Sequence, residues 1–110
     1  MTTKILTKQK ETSAKIARLN DEFRAVEMLT LTKGIYELHD VLGLIRAVRE
    51  YKDFNKDNDP YGEHDFGSFV WEGKKIFWKI DYYDPSFELW CDPLHPECER
   101  VLTVMLAEEY

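Results

Sequence analysis

The sequence predicts a single small α+β domain, in which an antiparallel β-hairpin or meander of three to four strands packs with about three helices. The 110 residues can form one hydrophobic core but are too few for two. The chain is 44% hydrophobic and 14% aromatic, with 5 Gly and 4 Pro, which excludes disordered, collagen-like and disulfide-scaffold proteins. Helical patterns early in the chain and after Pro96 flank aromatic and β-branched runs that read as an antiparallel meander, and this arrangement is typical of the α+β class.

The first predicted helix spans residues 12–27, and Thr12 or Ser13 can cap it. Its apolar residues recur every three or four positions and so share one stripe: Ile16, Leu19, Phe23 and Val26. Residues 1–19 carry five basic side chains and one acidic one, a balance of +4. We therefore expect a basic, flexible arm over residues 1–15 and the α+β domain over residues 16–110.

A short strand is predicted next, because apolar and polar residues interleave around Gly34 over residues 28–35. Asp40 is the predicted N-cap of a second helix that ends near Asp53. The apolar stripe of that helix consists of Val41, Leu44, Ile45 and Val48.

The second half of the chain predicts mainly strands. Residues 54–65 have no hydrophobic period and many turn formers, which indicates a loop. Residues 66–72 and 75–83 read as a hairpin around Gly73, and residues 87–91 as a further short strand. Pro96 opens a last predicted helix, whose apolar residues are Val101, Leu102, Val104 and Met105.

The charge of the chain excludes some partners. Its 15 Lys and Arg residues and 21 Asp and Glu residues give a net charge of −6, the opposite of the basic surface that nucleic-acid binding requires. The N-terminus has neither a signal-peptide core nor a membrane-spanning segment, so we expect no membrane contact and a cytoplasmic location. Cys91 and Cys98 are then expected to be reduced thiols, and no cofactor is predicted.

Acidic residues recur along the predicted loop and hairpin. Alternate residues of an extended chain lie about 6.6 Å apart on one side, so carboxylates there can form a row that replaces phosphates in a groove lined by Lys and Arg. The predicted partner-binding residues are Asp57, Asp59, Tyr61, Glu63, Asp65, Asp81, Tyr83 and Asp84.

Three other sites are weighed against this one. His64 with Asp65 or Glu63 can form the acid–base centre of a small hydrolase. Cys91, His95 and Cys98 supply three possible zinc ligands, although a structural zinc site needs four. Residues 57–62 match part of a calcium loop, but its twelfth position is Ser68 and not the bidentate Glu, so a loop capped by its own Asp and Asn side chains is favoured.

Three segments resemble a known family: residues 58–67 (NDPYGEHDFG), 77–84 (FWKIDYYD) and 100–110 (RVLTVMLAEEY). Together they are similar to small bacterial proteins known as domain of unknown function 3768, and the resemblance runs from about Ile16 to the terminus. It implies a small cytosolic protein with relatives on plasmids and integrated mobile elements, and it implies no activity. His95 and Cys98 depart from the family pattern, so any role for them is particular to this protein.

These observations predict an acidic interaction module that binds a basic protein surface of a nucleic-acid-binding complex. The mobile-element setting implied by the resemblance suggests an inhibitor of host defence, of the anti-CRISPR or antirestriction type. It would act by DNA mimicry or by occluding the nucleic-acid-binding surface. The alternatives are the hydrolase centred on His64, and a structural partner protein that dimerises through the terminal helix over residues 96–110. The chain is expected to be a monomer or a homodimer.

Overall fold

The computed structural model describes residues 2–110, with side chains from Lys8 onward, and has the expected α+β fold. Its elements, in chain order, are α1 (Thr2–Val26), β1 (Leu29–Leu31), α2 (Lys33–Tyr36), α3 (Val41–Arg49), β2 (Phe66–Trp71), β3 (Lys74–Tyr83), β4 (Glu99–Leu106) and a 3₁₀ turn (Ala107–Glu109). No helix in this part of the chain combines the length and apolar character needed to cross a membrane.

The four strands form one mixed sheet in the order β1-β4-β3-β2. Strands β2, β3 and β4 form the predicted antiparallel meander, in which Trp78 lies opposite both Gly67 and Val104. Strand β1 runs parallel to β4, with Leu29 opposite Leu102. The expected purely antiparallel arrangement is therefore wrong at one edge. Most of the chain lies between β1 and β4, and a connection of this kind allows parallel pairing.

The C-terminal segment is a strand and not the predicted helix. Leu102, Val104 and Leu106 on one face of β4 are buried in the core, and Met105 on the other face is buried as well. Because Val101 and Met105 lie on the face opposite Leu102 and Val104, β4 is largely apolar on both faces and loses the alternation that distinguishes a strand from a helix. Residues 96–110 therefore do not form the terminal helix that was expected to supply a dimer face.

Helix α1 begins earlier than predicted and buries a different face. It is helical from Thr2, so neither Thr12 nor Ser13 caps it, and the proposed boundary between arm and domain after residue 15 stays a prediction. Leu19 and Val26 of the predicted stripe are exposed. Ile16 of that stripe is buried as predicted and Phe23 packs half-buried against the core, but the other buried residues of α1 are Ala17, Asn20 and Arg24.

One core lies between the helices and the sheet. Leu44 and Val48 of α3 are fully buried, and the Asp40 carboxylate accepts a hydrogen bond from the Gly43 N–H at 2.9 Å, which confirms the predicted N-cap. Ile35 of α2 joins the same core. Residues 87–91 do not form the predicted strand. They make a single β-bridge, between Trp90 and Tyr83.

Candidate functional site

His64 lies in a groove of about 970 Å³ between α1 and the loop over residues 54–65. Its Nδ1 atom is 3.0 and 3.1 Å from the two carboxylate oxygens of Asp21. Its Nε2 atom is 3.7 Å from Oδ2 of Asp59. The imidazole stacks on the Phe54 ring, with centroids 3.9 Å apart and planes 3° apart.

The loop holds His64 in an uncommon backbone conformation. Its φ of 57° lies in the left-handed region, which a residue other than glycine adopts at a cost of about 1–3 kcal/mol. The Asp59 carboxylate compensates by accepting the backbone N–H groups of Glu63 at 3.1 Å and of His64 at 3.3 Å. Asp59 is 8% exposed, so this anchor faces the interior of the loop.

The partners of His64 differ from those predicted. Among the contacts of the described residues, none joins its imidazole to Glu63 or Asp65. Asp21 comes from α1, which is distant in sequence, so spacing gave no signal for it. Of the two carboxylates, only that of Asp21 lies within hydrogen-bonding distance of the imidazole, since the Asp59 oxygen is 3.7 Å away.

A buried polar network fixes the groove to the sheet. The Asn20 side-chain amide, fully buried, donates to the Glu63 carbonyl at 2.9 Å and to the Tyr82 hydroxyl at 2.8 Å. Its oxygen accepts from Arg100 Nε at 2.7 Å, and Arg100 Nη2 donates to the Pro93 carbonyl at 2.8 Å. The network therefore connects α1, both long loops, β3 and β4.

Two carboxyl groups beside this network have raised pKa values. Burial raises the pKa of Glu63, and the nearby Asp65 and Asp59 carboxylates raise it further. Burial also raises the pKa of Asp65, with a further contribution from Asp59. Both groups are thus held where ionisation is less favourable than in water.

The six acids predicted to bind a partner do not form one outward row. Asp59 is turned inward, and Asp65 accepts from the Tyr82 hydroxyl at 3.4 Å. Asp81 pairs with Lys79 at 3.1 Å, and Asp84 accepts hydrogen bonds from its own loop. The remaining predicted residues are Asp57 and Tyr61, which are exposed, and Glu63 and Tyr83, which are half-buried. That these eight residues contact a partner stays a prediction.

Residues 84–98, between β3 and β4, form a second candidate site, which we call the acidic loop. They include four acids, Asp84, Glu88, Asp92 and Glu97, and no Lys or Arg. Four large apolar side chains of the loop are exposed: Phe87 by 55%, Leu89 by 68%, Trp90 by 71% and Leu94 by 38%. Exposed apolar side chains gathered in one segment mark interaction surfaces.

The Asp84 carboxylate orders the acidic loop. It accepts from the Ser86 hydroxyl at 2.8 Å and from the N–H groups of Glu88 at 3.1 Å and Leu89 at 3.3 Å. The Ser86 hydroxyl and these N–H groups lower the pKa of Asp84. The Asp84 N–H in turn donates to the Leu89 carbonyl at 2.8 Å. Sequence reasoning missed the apolar side chains of this loop because it assigned residues 87–91 to a strand, where they would be covered.

The zinc and calcium alternatives find no support. Within residues 2–110, no three His, Cys, Asp or Glu side chains come together as a metal site would require. His95 is exposed, and its Nδ1 accepts the Glu97 N–H at 3.1 Å rather than facing Cys91 and Cys98. In the loop over residues 54–65, Asn55 and Asn58 cap backbone N–H groups, as expected of a loop stabilised by its own side chains.

Comparisons with known proteins give one match. Searches of curated proteins and of solved structures each found nothing similar to the chain. A family model described as "Protein of unknown function (DUF3768)" matches residues 2–109, nearly the whole sequence. The chain therefore belongs to the DUF3768 family, as the three segments suggested.

Proposed function

We propose that the protein is an interaction module that binds a basic protein surface through its acidic loop. The observation that carries this proposal is the exposure of Phe87, Leu89, Trp90 and Leu94 on a loop that has four acids and no basic residue. Aromatic side chains dominate binding energy when a partner buries them, and tryptophan is among the most enriched. The surrounding carboxylates favour a partner whose apolar cleft is rimmed by Lys and Arg.

The order within the loop supports this role. The hydrogen bonds of Asp84 and the bridge between Tyr83 and Trp90 fix the chain around Phe87, Leu89 and Trp90. A surface whose shape is fixed before binding loses less conformational entropy when the complex forms. The acidic loop is therefore suited to direct docking.

The specific form of the proposal is an inhibitor of a nucleic-acid-binding host-defence complex, of the anti-CRISPR or antirestriction type. The net charge of −6 and the mobile-element setting implied by the family resemblance support it. The internal partners of Asp59, Asp65, Asp81 and Asp84 favour occlusion of a basic surface over DNA mimicry, because a mimic must present its carboxylates outward.

Cleavage assays with purified CRISPR effector nucleases and restriction enzymes test this form. The protein should protect target DNA from at least one of them, and raised salt should weaken the protection because ionic screening reduces the attraction. A Leu89→Ala, Trp90→Ala double variant should lose protection. Val70→Ala is the matched control, because Val70 is 70% exposed on β2, outside the acidic loop. Unchanged cleavage across the panel contradicts the inhibitor, and full protection by the double variant contradicts the docking site.

A second candidate function rests on the contact between His64 and Asp21. A carboxylate that orients an imidazole inside a groove is an arrangement used in acid–base catalysis. Among the hydrogen bonds of the described residues, none joins His64 to a hydroxyl or a thiol, so the hydrolytic form would activate water. Turnover of chromogenic ester and phosphoester substrates should fall by about 10²–10⁴ in His64→Gln if this form is right. Absence of turnover, or equal turnover by the variant, contradicts it.

A further inference from the structure

The groove between α1 and the loop that precedes β2 has a positively charged rim. Lys8 and Lys10 of α1 line it on one side and Lys56 of the loop lines it on the other, and all three side chains are exposed. Among the ion pairs of the described side chains, none involves these lysines. The acids that line the groove are less accessible, because Asp59 is 8% exposed and Glu63 is half-buried.

The groove can also accept large apolar side chains. Its lining includes Phe54, Pro60 and Tyr61, and Tyr61 is 79% exposed. Its volume of about 970 Å³ is typical of the larger pockets that hold small molecules. Among the described residues that line it, none belongs to the acidic loop, so this loop does not fill the groove of its own chain. The groove is thus an apolar cleft rimmed by lysine.

The acidic loop has the complementary chemistry. Three of its carboxylates, those of Glu88, Asp92 and Glu97, are exposed. Phe87 and Trp90 add exposed aromatic side chains. Opposite charges that meet across an interface fix its register and exclude wrong partners, while buried aromatic side chains supply most of the binding energy. The apolar side chains of the loop therefore match the floor of the groove, and its three carboxylates match the three lysines of the rim.

Both features lie at the same end of the sheet. The acidic loop follows the last residue of β3, and the groove loop leads into the first residue of β2, which is antiparallel to β3. At this end the Ile80 N–H donates to the Asp65 carbonyl at 2.8 Å. The Asn20 amide contacts both sides, since it donates to the Glu63 carbonyl and to the Tyr82 hydroxyl. A two-fold rotation can therefore bring each loop to the groove of the other copy, as in an isologous dimer.

We infer that two copies of the chain associate reciprocally, with the acidic loop of each copy docked in the groove of the other. In this assignment, which rests on the proposed function of the acidic loop, the partner that the loop meets in the pure protein is a second copy. A different basic protein has to displace that copy before it can contact Trp90.

Sedimentation equilibrium of the full chain and of two charge-reversal variants tests the reciprocal dimer. The groove variant carries Lys8→Glu, Lys10→Glu and Lys56→Glu, and the loop variant carries Glu88→Lys, Asp92→Lys and Glu97→Lys. The wild type should form a dimer that raised salt weakens. Each variant alone should dissociate at concentrations more than about tenfold higher than the wild type, because like charges then meet. An equimolar mixture of the two should form a heterodimer, because each reversed surface then meets one of opposite charge.

A matched control carries Lys33→Glu, Lys52→Glu and Lys74→Glu. It makes the same change of charge at exposed positions outside the groove, so it should still dimerise. A second measurement needs no variant. Hydrogen exchange of the wild type should be slower in the dimer than in the diluted monomer at residues 54–64 and 84–98.

Three results would overturn the reciprocal dimer. The first is a wild type that stays monomeric up to about 1 mM, where an association of only about 4 kcal/mol would already be visible. The second is a variant that dimerises as tightly as the wild type. The third is a mixture that stays monomeric although both variants unfold at the wild-type temperature. A monomeric wild type that still protects DNA, and loses protection in Leu89→Ala, Trp90→Ala, would refute the dimer and leave the proposed function standing.

Discussion

Arg24 and Arg49 each satisfy carbonyl groups at the C-terminal end of the other's helix. Arg24 of α1 donates to the carbonyls of Val48 at 3.0 Å and Tyr51 at 2.9 Å, where α3 ends. Arg49 of α3 donates to the carbonyls of Arg24 at 3.0 Å and Glu27 at 2.9 Å, where α1 ends. This exchange fixes the two helices to each other and places Asp21 beside His64.

Arg24 is the more buried of the two, and its truncation should destabilise the fold. It is 4% exposed, and its guanidinium lies 4.7 Å from the centroid of the Trp78 ring. Arg24→Ala removes the Arg24 donor from the Tyr51 carbonyl, takes one of the donors from the Val48 carbonyl, which keeps the Tyr51 N–H, and opens a cavity. The free energy of unfolding should therefore fall by roughly 3–5 kcal/mol in urea denaturation. Arg18→Ala, on the exposed side of α1, should change it by less than about 0.5 kcal/mol. Equal changes in the free energy of unfolding for Arg24→Ala and Arg18→Ala would show that the guanidinium contacts of Arg24 contribute nothing to stability.

Asn20 joins α1 to the loop that carries His64. Asn20→Ala removes a fully buried amide that donates to Glu63 and Tyr82 and accepts from Arg100. The free energy of unfolding should fall by about 2 kcal/mol or more, because several polar groups lose their hydrogen-bond partners. Hydrogen exchange should also speed up at the N–H groups over residues 59–64. Glu22→Ala, on an exposed position of α1, is the control, and protection of those N–H groups equal to wild type would contradict the linking role.

The pH dependence of stability should report on Asp65. Its pKa is raised above the ordinary value of 3.8, chiefly by burial. The associated stability is therefore fully present below about 3.8 and lost as the pH rises through the higher folded pKa. Asp65→Asn removes this loss, so the thermal midpoint of unfolding at neutral pH should be higher in the variant than in the wild type. The decrease of the midpoint from mildly acidic to neutral pH should also be smaller in the variant. Asp57→Asn, at an exposed position, is the matched control for the removal of a carboxylate. A lower midpoint for Asp65→Asn would contradict the assignment.

Asp84 should govern the order of the acidic loop. Asp84→Ala removes the acceptor for Ser86, Glu88 and Leu89, so hydrogen exchange at the last two N–H groups should accelerate while the unfolding midpoint changes little. Because the pKa of Asp84 is lowered, the wild-type loop should lose the same order only as the pH falls below about 3.8 and through the folded pKa. Unchanged exchange in the variant would show that other contacts hold the loop.

Patterns of neighbouring residues correctly predicted those elements that have one apolar face and one polar face. The Asp40 cap, the stripe of α3 and the hairpin of β2 and β3 follow from residues close in sequence. Strand β4 was mistaken for a helix because apolar residues on both of its faces, Leu102 and Val104 on one and Val101 and Met105 on the other, remove the alternation. The buried face of α1 was misplaced because Asn20 and Arg24 are polar, and their burial depends on partners between 24 and 80 residues away along the chain.

The candidate sites were harder to predict for the same reason. The acidic composition indicated a basic partner, but it could not show which carboxylates keep internal hydrogen bonds. The pairing of His64 with Asp21 spans 43 residues, which no local spacing encodes.

The most direct test of the proposed function is the affinity of a partner captured from host lysate, purified and titrated calorimetrically with three forms of the chain. The docking proposal predicts that Leu89→Ala, Trp90→Ala weakens binding by more than about tenfold, that Val70→Ala does not, and that salt weakens wild-type binding. Equal affinity of the double variant and the wild type would contradict the acidic loop as the binding surface.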